Sequence, residues 1–465
     1  MQLGKKGQKK THEHYPAAEG RPVTLTVEGL NHDGEGVARF EGLTIFVPGA
    51  LPGDLVSARV ISRKKAYARA LVEEVLKPSP ARVSPRCPHH GLCGGCRLQH
   101  LAYEEQLVYK KGLVEDALRR LGGMKVPVLP VIGMEAPWRY RNKAQVPVAW
   151  ADGRVLAGFY QRRSHTVVDT ETCPVQLLPN DEVIRAARRA IQRTGVPIYN
   201  EKDHTGTLRH VIARTSRASG ETLIILVTKG RELPGKEELL KDLSAGTKNL
   251  VGIVQNVNPR RGNKIFGQED ITLWGRGYLE EKLGGLTFRI SPQSFFQVNS
   301  SQAEILLEKV REYGQLTGEE TVFDLYCGTG AIALYISRFA RRVIGVESVA
   351  AAVEDARQNA RLNGITNAEF ILGRSEEAAP RLAKEGYAAH VVIVDPPRGG
   401  CRPELLETII TLNPEKVVYV SCNPATLARD LKYLAKGGYR AIEAQPVDMF
   451  PHTSHVETVV LLESK

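Results

Sequence analysis

Residues 322–333 read VFDLYCGTGAIA, an apolar segment that runs into a glycine turn and the start of a helix. Glycines at 328 and 330 allow the backbone to pass close to a nucleoside, as in the first turn of a dinucleotide-binding sheet. Glu347 ends the next apolar segment, where its carboxylate is placed to bind ribose hydroxyls. A nicotinamide cofactor and S-adenosylmethionine would both be bound in this way, so the turn predicts a nucleoside site without choosing between them.

Apolar segments of strand length alternate with helical segments from this turn to the C-terminus. This alternation predicts a doubly wound α/β domain of the Rossmann type, in which ligands lie beyond the carboxyl ends of parallel strands. We place this domain at residues 291–465. Its predicted strands are 321–325, 342–346, 368–372, 390–394, 416–420 and 458–462.

Two short motifs follow strands of this sheet and therefore fall at the same rim. The sequence VDPPR places Asp395 before two prolines, which fix the backbone and hold the carboxylate outward toward a cofactor amine or a base edge. The sequence SCNP places Cys422 between a strand and a helix N-terminus, where partial positive charge favours the thiolate. We predict that Cys422 is a nucleophile, and that one of His452, His455 and Glu457 in the downstream sequence PHTSHVE acts as a base within its reach.

A second set of cysteines lies far upstream. Cys87, Cys93 and Cys96 fall within ten residues around two glycines, and Cys173 precedes a proline later in the chain. Clustered thiols in a reducing compartment predict metal binding, and the spacing allows an iron-sulfur cluster held by four thiolates as well as zinc. Cys327 and Cys401 have no such neighbours, and we interpret both as packing residues.

The N-terminal part of the chain is organised differently. Short alternating apolar segments separated by glycine and proline predict a small antiparallel barrel of about five strands at residues 16–76. A basic tail at residues 1–15 precedes the barrel, and a linker at residues 77–86 follows it. Residues 87–290 mix helical and strand-like segments, which predicts an α+β middle domain.

The charge balance points to a polyanionic partner. The chain carries 63 lysine and arginine residues against 52 aspartate and glutamate residues, a net charge of +11, which favours nucleic acid over a membrane surface. We expect the contacts to come from the tail, from Arg63 to Lys65 beside Tyr67 in the barrel, and from residues 138–143 in the middle domain. The N-terminus lacks a secretory signal and no apolar run is long enough to span a bilayer, so we expect a cytoplasmic protein that does not bind membranes.

Taken together, these motifs resemble the RNA uracil-5-methyltransferase family. The resemblance rests on the spacing of the four upstream cysteines, on SFFQVN at residues 294–299, and on the DLYCGTG, DPPR, SCNP and HTSHVE segments. The chain is similar to one branch of this family in particular. Members of that branch have an N-terminal TRAM barrel, OB-like in fold, and a 4Fe-4S cluster, and they modify uridine in 23S ribosomal RNA. At Ala331 this chain departs from members that have asparagine in the glycine turn.

The resemblance implies a role for each matching residue. It assigns S-adenosylmethionine to Gln297, Tyr326, Glu347 and Asp395, the nucleophile to Cys422 and the proton acceptor to Glu457. It implies that four cysteines are the ligands of a 4Fe-4S cluster: Cys87, Cys93, Cys96 and Cys173.

Three functions stay open on the sequence alone. The first is methyl transfer to uracil C5 in RNA, with 23S ribosomal RNA the expected substrate, transfer RNA the alternative, and a monomer the expected state. Uracil C5 is a poor nucleophile until a thiolate adds to C6, so this reaction needs residues such as Cys422 and Glu457. The second is a non-catalytic, cluster-bearing RNA-binding assembly factor, and the third is a nicotinamide-dependent oxidoreductase, which rests on the glycine turn alone.

Overall fold

The computed structural model describes residues 19–465 and divides the chain into two compact units. The first contains the residues up to Ser84 together with His100–Ala102, and the second contains Pro85–Gln99 and Tyr103–Lys465. The predicted basic tail and the predicted start of the barrel at Pro16 lie outside the described residues. No helix in the described part of the chain is long and apolar enough to cross a membrane.

The first unit contains a closed five-stranded barrel in the order β1-β2-β3-β5-β4, which confirms the predicted barrel. Its pairings are antiparallel as predicted except that between β3 and β5, which is parallel. Alternate side chains of the first strand, including Val23, Leu25 and Val27, point into its core, as a strand with one buried face requires. The last strand ends at Lys77, one residue beyond the predicted boundary. The strands are β1 (Pro22–Leu30), β2 (Gly36–Phe40), β3 (Leu43–Val47), β4 (Leu55–Arg63) and β5 (Tyr67–Lys77).

The second unit begins with a mixed seven-stranded sheet in the order β12-β11-β10-β9-β6-β7-β8, whose two central strands are completely buried. Helices α2 and α3 cover one face through residues such as Ile184 and Leu239. The region is α and β as predicted, but the sequence did not predict this strand order. Its elements are α1 (Tyr103–Asp116), β6 (Lys143–Ala151), β7 (Arg154–Tyr160), β8 (Val167–Asp169), α2 (Leu178–Thr194), β9 (Leu208–Thr215), β10 (Thr222–Thr228), α3 (Lys236–Gly246), β11 (Leu250–Val257) and β12 (Glu269–Gly275).

A hairpin of β13 (Leu279–Leu283) and β14 (Leu286–Ile290) precedes the C-terminal sheet. That sheet has the order β17-β16-β15-β18-β19-β21-β20, in which the first five strands are parallel, β21 is antiparallel to β19, and β20 is antiparallel to β21. This is the predicted doubly wound arrangement, with α4, α5 and α6 on one face and α7, α8 and α9 on the other. The elements are α4 (Ser300–Gly314), β15 (Thr321–Leu325), α5 (Ala331–Ile336), β16 (Arg342–Glu347), α6 (Ala350–Leu362), β17 (Ala368–Leu372), α7 (Ser375–Lys384), β18 (Val391–Val394), α8 (Pro403–Leu412), β19 (Lys416–Ser421), α9 (Pro424–Lys436), β20 (Tyr439–Val447) and β21 (Glu457–Ser464).

Candidate active site

A cavity of about 740 Å³ opens at the carboxyl ends of the parallel strands in the C-terminal sheet. Strands β15, β16, β18 and β19 each end at its wall, because the strand order reverses between β15 and β18. The structure therefore brings together six residues that were predicted from the sequence, five of them from five separate motifs and Glu347 from the strand after the glycine turn. They are Gln297, Tyr326, Glu347, Asp395, Cys422 and Glu457.

Cys422 and Glu457 are neighbours because β19 and β21 pair in antiparallel fashion, with Ser421 opposite Thr458. Cys422 follows β19 directly and precedes α9, whose first turn is capped by Asn423 Oδ1 accepting from the amide of Ala425 at 3.0 Å. Glu457 is the first residue of β21 and is only 6% exposed. The thiol and the carboxyl group thus face the same cavity from adjacent strands.

Burial raises the pKa of all three reactive groups in this cavity. It raises the pKa of the Cys422 thiol to about 11, with added repulsion from Glu457 and Asp395 and a smaller opposing effect of Arg398. The pKa of Glu457 rises to about 8 and that of Asp395 to about 7 for the same reason. Burial therefore opposes the thiolate that the helix N-terminus is expected to favour.

The glycine turn after β15 presents backbone and side-chain groups to the cavity. Glu347 Oε2 accepts from the amide of Gly328 at 3.1 Å, which joins the ends of β15 and β16. Tyr326 has a positive φ of 69° and donates its hydroxyl to Glu376 at 2.8 Å. Gly330 has a φ of 83°, and a Cβ there would lie 3.1 Å from the ring of Phe370, so the turn requires glycine at this position.

Two acids at this site were not singled out from the sequence. Glu376 lies on α7 and lines the cavity, where it accepts the hydrogen bond from Tyr326. Asp324 lies on β15 and is fully buried, and burial raises its pKa to about 8. The sequence signal for Asp324 was an acid inside an otherwise apolar strand, which is expensive to bury unless it stays protonated.

The histidine-rich loop divides into a structural part and a cavity-lining part. His452 is 3% exposed, has a φ of 66°, and stacks on Trp138 with ring centroids 3.7 Å apart. Burial lowers the pKa of His452 to about 3, so its imidazole stays neutral. His452 is also not among the residues that line the cavity. His455 lines the cavity, with Nε2 lying 3.4 Å from the Arg398 guanidinium.

A buried ion pair between Lys110 and Asp448 holds the same loop in place. Lys110 on α1 donates to Asp448 Oδ1 at 2.5 Å and to the carbonyl of Phe450 at 3.0 Å, and neither Lys110 nor Asp448 is exposed. Tyr103 donates to the second oxygen of Asp448 at 2.9 Å. Sequence reasoning missed this pair, because its two partners are 338 residues apart in the chain.

Most of the segment at 138–143 is not available as an RNA-binding surface, which corrects the expectation from sequence. Trp138 is stacked on His452, and Tyr140 is 2% exposed and donates its hydroxyl to the carbonyl of Pro451. Arg139 donates to the carbonyl of Cys173 and forms an ion pair with Asp181. These aromatic and basic side chains brace the interior, and burial together with the charges of Arg214 and Arg141 lowers the pKa of Lys143 to about 7.

The four upstream cysteines are free thiols in the second unit. They lie within electrostatic reach of one another, since the charges of Cys87 and Cys93 raise the pKa of Cys96 and the charge of Cys96 raises that of Cys173. Burial is the largest cause in both cases, with pKa values of about 11 and about 12. No group of three or more histidine, cysteine or acidic side chains within residues 19–465 is arranged closely enough to hold a metal ion, so the predicted cluster is not confirmed.

Comparison with known proteins connects this cavity to a reaction. The family profile described as tRNA (uracil-5-)-methyltransferase matches residues 269–465, and the TRAM domain profile matches residues 16–72. An uncharacterized RNA methyltransferase of Halalkalibacterium halodurans is 47% identical over 97% of this chain and 98% of its own length. A similar protein of Listeria innocua is 46% identical over 96% of this chain and 98% of its own length.

Among solved structures, the chain is similar to the Pyrococcus abyssi tRNA (uracil-54, C5)-methyltransferase in complex with S-adenosyl-L-homocysteine. The two share 31% identity and a TM-score of 0.75, over 95% of this chain and 100% of the other. These likenesses extend over both units and favour methyl transfer over the oxidoreductase and the non-catalytic assembly factor.

Proposed function

The chain belongs to the RNA uracil-5-methyltransferase family and depends on S-adenosylmethionine, and we propose that it methylates C5 of a uridine through a covalent bond between Cys422 and C6. The observation that carries the mechanism is the pairing of a half-buried thiol with a buried carboxyl group across adjacent strands. Cys422 and Glu457 face one cavity, and the pKa of Glu457 is raised to about 8.

The proposed reaction balances as an addition followed by an elimination. The Cys422 thiolate adds to C6 of uracil, which moves an electron pair to C5 and makes it nucleophilic. S-adenosylmethionine supplies the methyl group that C5 takes up. Glu457 in its ionised form then accepts the C5 proton, the C5 electron pair re-forms the double bond, and the bond between C6 and Sγ breaks to restore the thiolate.

The cavity chemistry fits a sulfonium-bearing nucleoside. Glu347 lies at the end of β16 with its carboxylate oriented by the amide of Gly328, as ribose recognition requires. Asp395, Tyr326 and Gln297 line the same cavity. We propose that these four side chains hold S-adenosylmethionine, and that Glu376 fixes Tyr326 in place through their hydrogen bond.

For the substrate we propose a uridine of 23S ribosomal RNA. The cysteine spacing at 87, 93, 96 and 173 supports it, because the resemblance to the ribosomal branch rests partly on that spacing. Transfer RNA is the second candidate, since the Pyrococcus abyssi protein is named for uridine 54 of transfer RNA.

Methyl transfer from labelled S-adenosylmethionine to unmodified ribosomal and transfer RNA, followed by mapping of the labelled base, tests both parts of the proposal. We expect label at C5 of a uridine in ribosomal RNA, no transfer by Cys422→Ala, and slow release of the RNA by Glu457→Gln. Cys401→Ala is the matched control, because Cys401 is a buried thiol outside the cavity. Full activity of Cys422→Ala would contradict the proposed mechanism. Label found only in transfer RNA would contradict the proposal that ribosomal RNA is the substrate.

We further propose that Cys87, Cys93, Cys96 and Cys173 hold a 4Fe-4S cluster, as the resemblance to the cluster-bearing branch implies. The charges of Cys87 and Cys93 act on Cys96 and that of Cys96 acts on Cys173, which supports the proposal. Protein purified without air should then contain iron and show the broad visible absorbance of thiolate-to-iron charge transfer. Cys96→Ser should lose both signals, whereas Cys401→Ser should keep them. Stoichiometric zinc without iron would contradict this assignment.

A further inference from the structure

A basic loop after β11 is held rigid by buried polar side chains. Asn258 is fully buried and donates to the carbonyls of Lys264 and Ile265 at 2.6 and 2.8 Å. Arg209 is 4% exposed and donates to the carbonyls of Asn258 and Arg260, both at 2.7 Å. Two buried donors thus fix the backbone of a surface loop, which keeps its exposed side chains in a defined place.

The exposed side chains of this loop are cations without acidic partners. Arg260, Arg261 and Lys264 are exposed, and within residues 19–465 no carboxylate lies within ion-pairing distance of them. Many other exposed arginines of the chain are paired, as Arg231 is with Glu269. The positive field of the loop is felt nearby, because Arg261 and other cations lower the pKa of His204 after the larger effect of burial.

The loop leads back over the sheet toward a half-buried lysine. Ile265 and Phe266 pack on the face of the sheet that carries Ile212, and Lys143 Nζ lies 5.4 Å from the centre of the Phe266 ring. Lys143 pairs across the strands with Arg214, which is 2% exposed. Like charges directly opposite each other destabilise a sheet, and the charge of Arg214 lowers the pKa of Lys143, whereas the carboxylate of Asp355 acts in the opposite sense on Arg214.

The same cation pair adjoins the wall of the catalytic cavity. Arg214 donates to the carbonyl of Ser294 at 2.9 Å, and the next residue, Phe295, lines the cavity and is 69% exposed. Asn142, beside Lys143, donates to the carbonyl of Gln297 at 3.0 Å. Hydrogen bonds from Arg214 and Asn142 thus join this part of the sheet to the segment that contains the cavity residues Phe295 and Gln297.

We propose that Lys143, Arg260, Arg261 and Lys264 form a basic strip that binds the phosphodiester backbone of the RNA strand carrying the target uridine. The proposal rests on the proposed function, since it assigns a binding surface to the same substrate. Phosphates would supply the negative charge that these cations lack within the protein. The strip would fix the direction in which the strand enters the cavity, while Phe295 and the cavity residues contact the base.

The test compares RNA binding by the wild type and by Arg260→Ala/Arg261→Ala/Lys264→Ala over a range of salt concentrations. Each lost phosphate contact should make the plot of log affinity against log salt shallower by about 1, so we expect a loss of about 2–3 in slope. Affinity at moderate salt should fall by about 10-fold or more. Lys143→Met should reduce the slope by about 1 and leave binding of S-adenosylmethionine unchanged.

A matched control removes the same amount of charge elsewhere. Lys111→Ala/Arg119→Ala/Arg120→Ala also deletes three cations, but these side chains already pair with Glu115 and Asp116. We expect this control to keep the wild-type slope. An unchanged slope in the loop variant, or equal losses in the loop variant and the control, would overturn the proposal. Wild-type protein that binds RNA but methylates no uridine would instead count against the proposed function.

Discussion

Burial raises the pKa of Cys422, Glu457 and Asp395, three groups that face the cavity. Repulsion from Asp395 adds to the effect at Cys422 and Glu457, and Arg398 opposes it at both. A substrate that brings positive charge into the cavity would favour ionisation of these groups. The nucleophile would then form when the substrates are in place, which limits side reactions of a free thiolate.

The stability of the protein should depend on pH through Glu457. In the folded chain Glu457 stays protonated up to about pH 8, whereas an unfolded glutamate ionises near pH 4.3. Between these values the folded state binds more protons, so its stability falls as the pH rises. Glu457→Gln removes this dependence, and its free energy of unfolding relative to wild type should be higher at pH 8 than at pH 4 by at least about 1 kcal/mol.

Urea unfolding at the two pH values measures this difference. Glu463→Gln is the control and should show no comparable change, because Glu463 is a half-exposed residue near the end of the same strand. A stability difference between Glu457→Gln and wild type that is the same at both pH values would mean that Glu457 is not buried as a neutral acid.

At the level of elements, the loop between β20 and β21 contains the cavity residues Phe450 and His455 and ends at Glu457, the first residue of β21. Asp448, near its start, is held by Lys110 and Tyr103 of α1. The amides of Arg97 and Leu98 both donate to the carbonyl of His452 at 2.9 Å. Hydrogen bonds from the middle domain thus hold in place the loop that precedes Glu457, the proposed proton acceptor.

Lys110→Met should destabilise the protein strongly. The substitution leaves Asp448 buried without its counter-ion, a loss of about 3–5 kcal/mol. The double variant Lys110→Met/Asp448→Asn should recover part of that loss, because no charge stays unpaired. Chemical denaturation of the single and double variants measures both effects, and a single variant as stable as wild type would show that the pair contributes nothing.

An element could be predicted from the sequence where the pattern that indicates it lies within a short segment of the chain. Parallel strands such as Val391–Val394 were predicted within one residue, because a short apolar run between helices has few other interpretations. Strand Tyr439–Val447 was not predicted, since its exposed and buried positions do not alternate regularly. The loop network around Lys110 depends on contacts between distant segments, which no local pattern records.

For the whole molecule, the net charge of +11 gave the class of partner but not its binding surface. Residues 138–143 were chosen for their basic and aromatic composition, yet Arg139 and Tyr140 serve the interior. The basic loop at 260–264 escaped notice because only its lack of acidic partners distinguishes it. Glu347, Asp395 and Cys422, by contrast, were predicted from the ends of strands, which converge in a doubly wound sheet. Gln297 and Tyr326 were predicted from the family resemblance alone.

The central claim is a covalent bond between Cys422 and uracil C6, and RNA containing 5-fluorouridine tests it most directly. Fluorine at C5 cannot leave as a proton, so the bond between Sγ and C6 should persist after methyl transfer. Mass spectrometry of the digested complex should then find RNA attached to the peptide that contains Cys422, in a reaction that requires S-adenosylmethionine. Methylated RNA without such an adduct, or an adduct on another cysteine, would contradict the account.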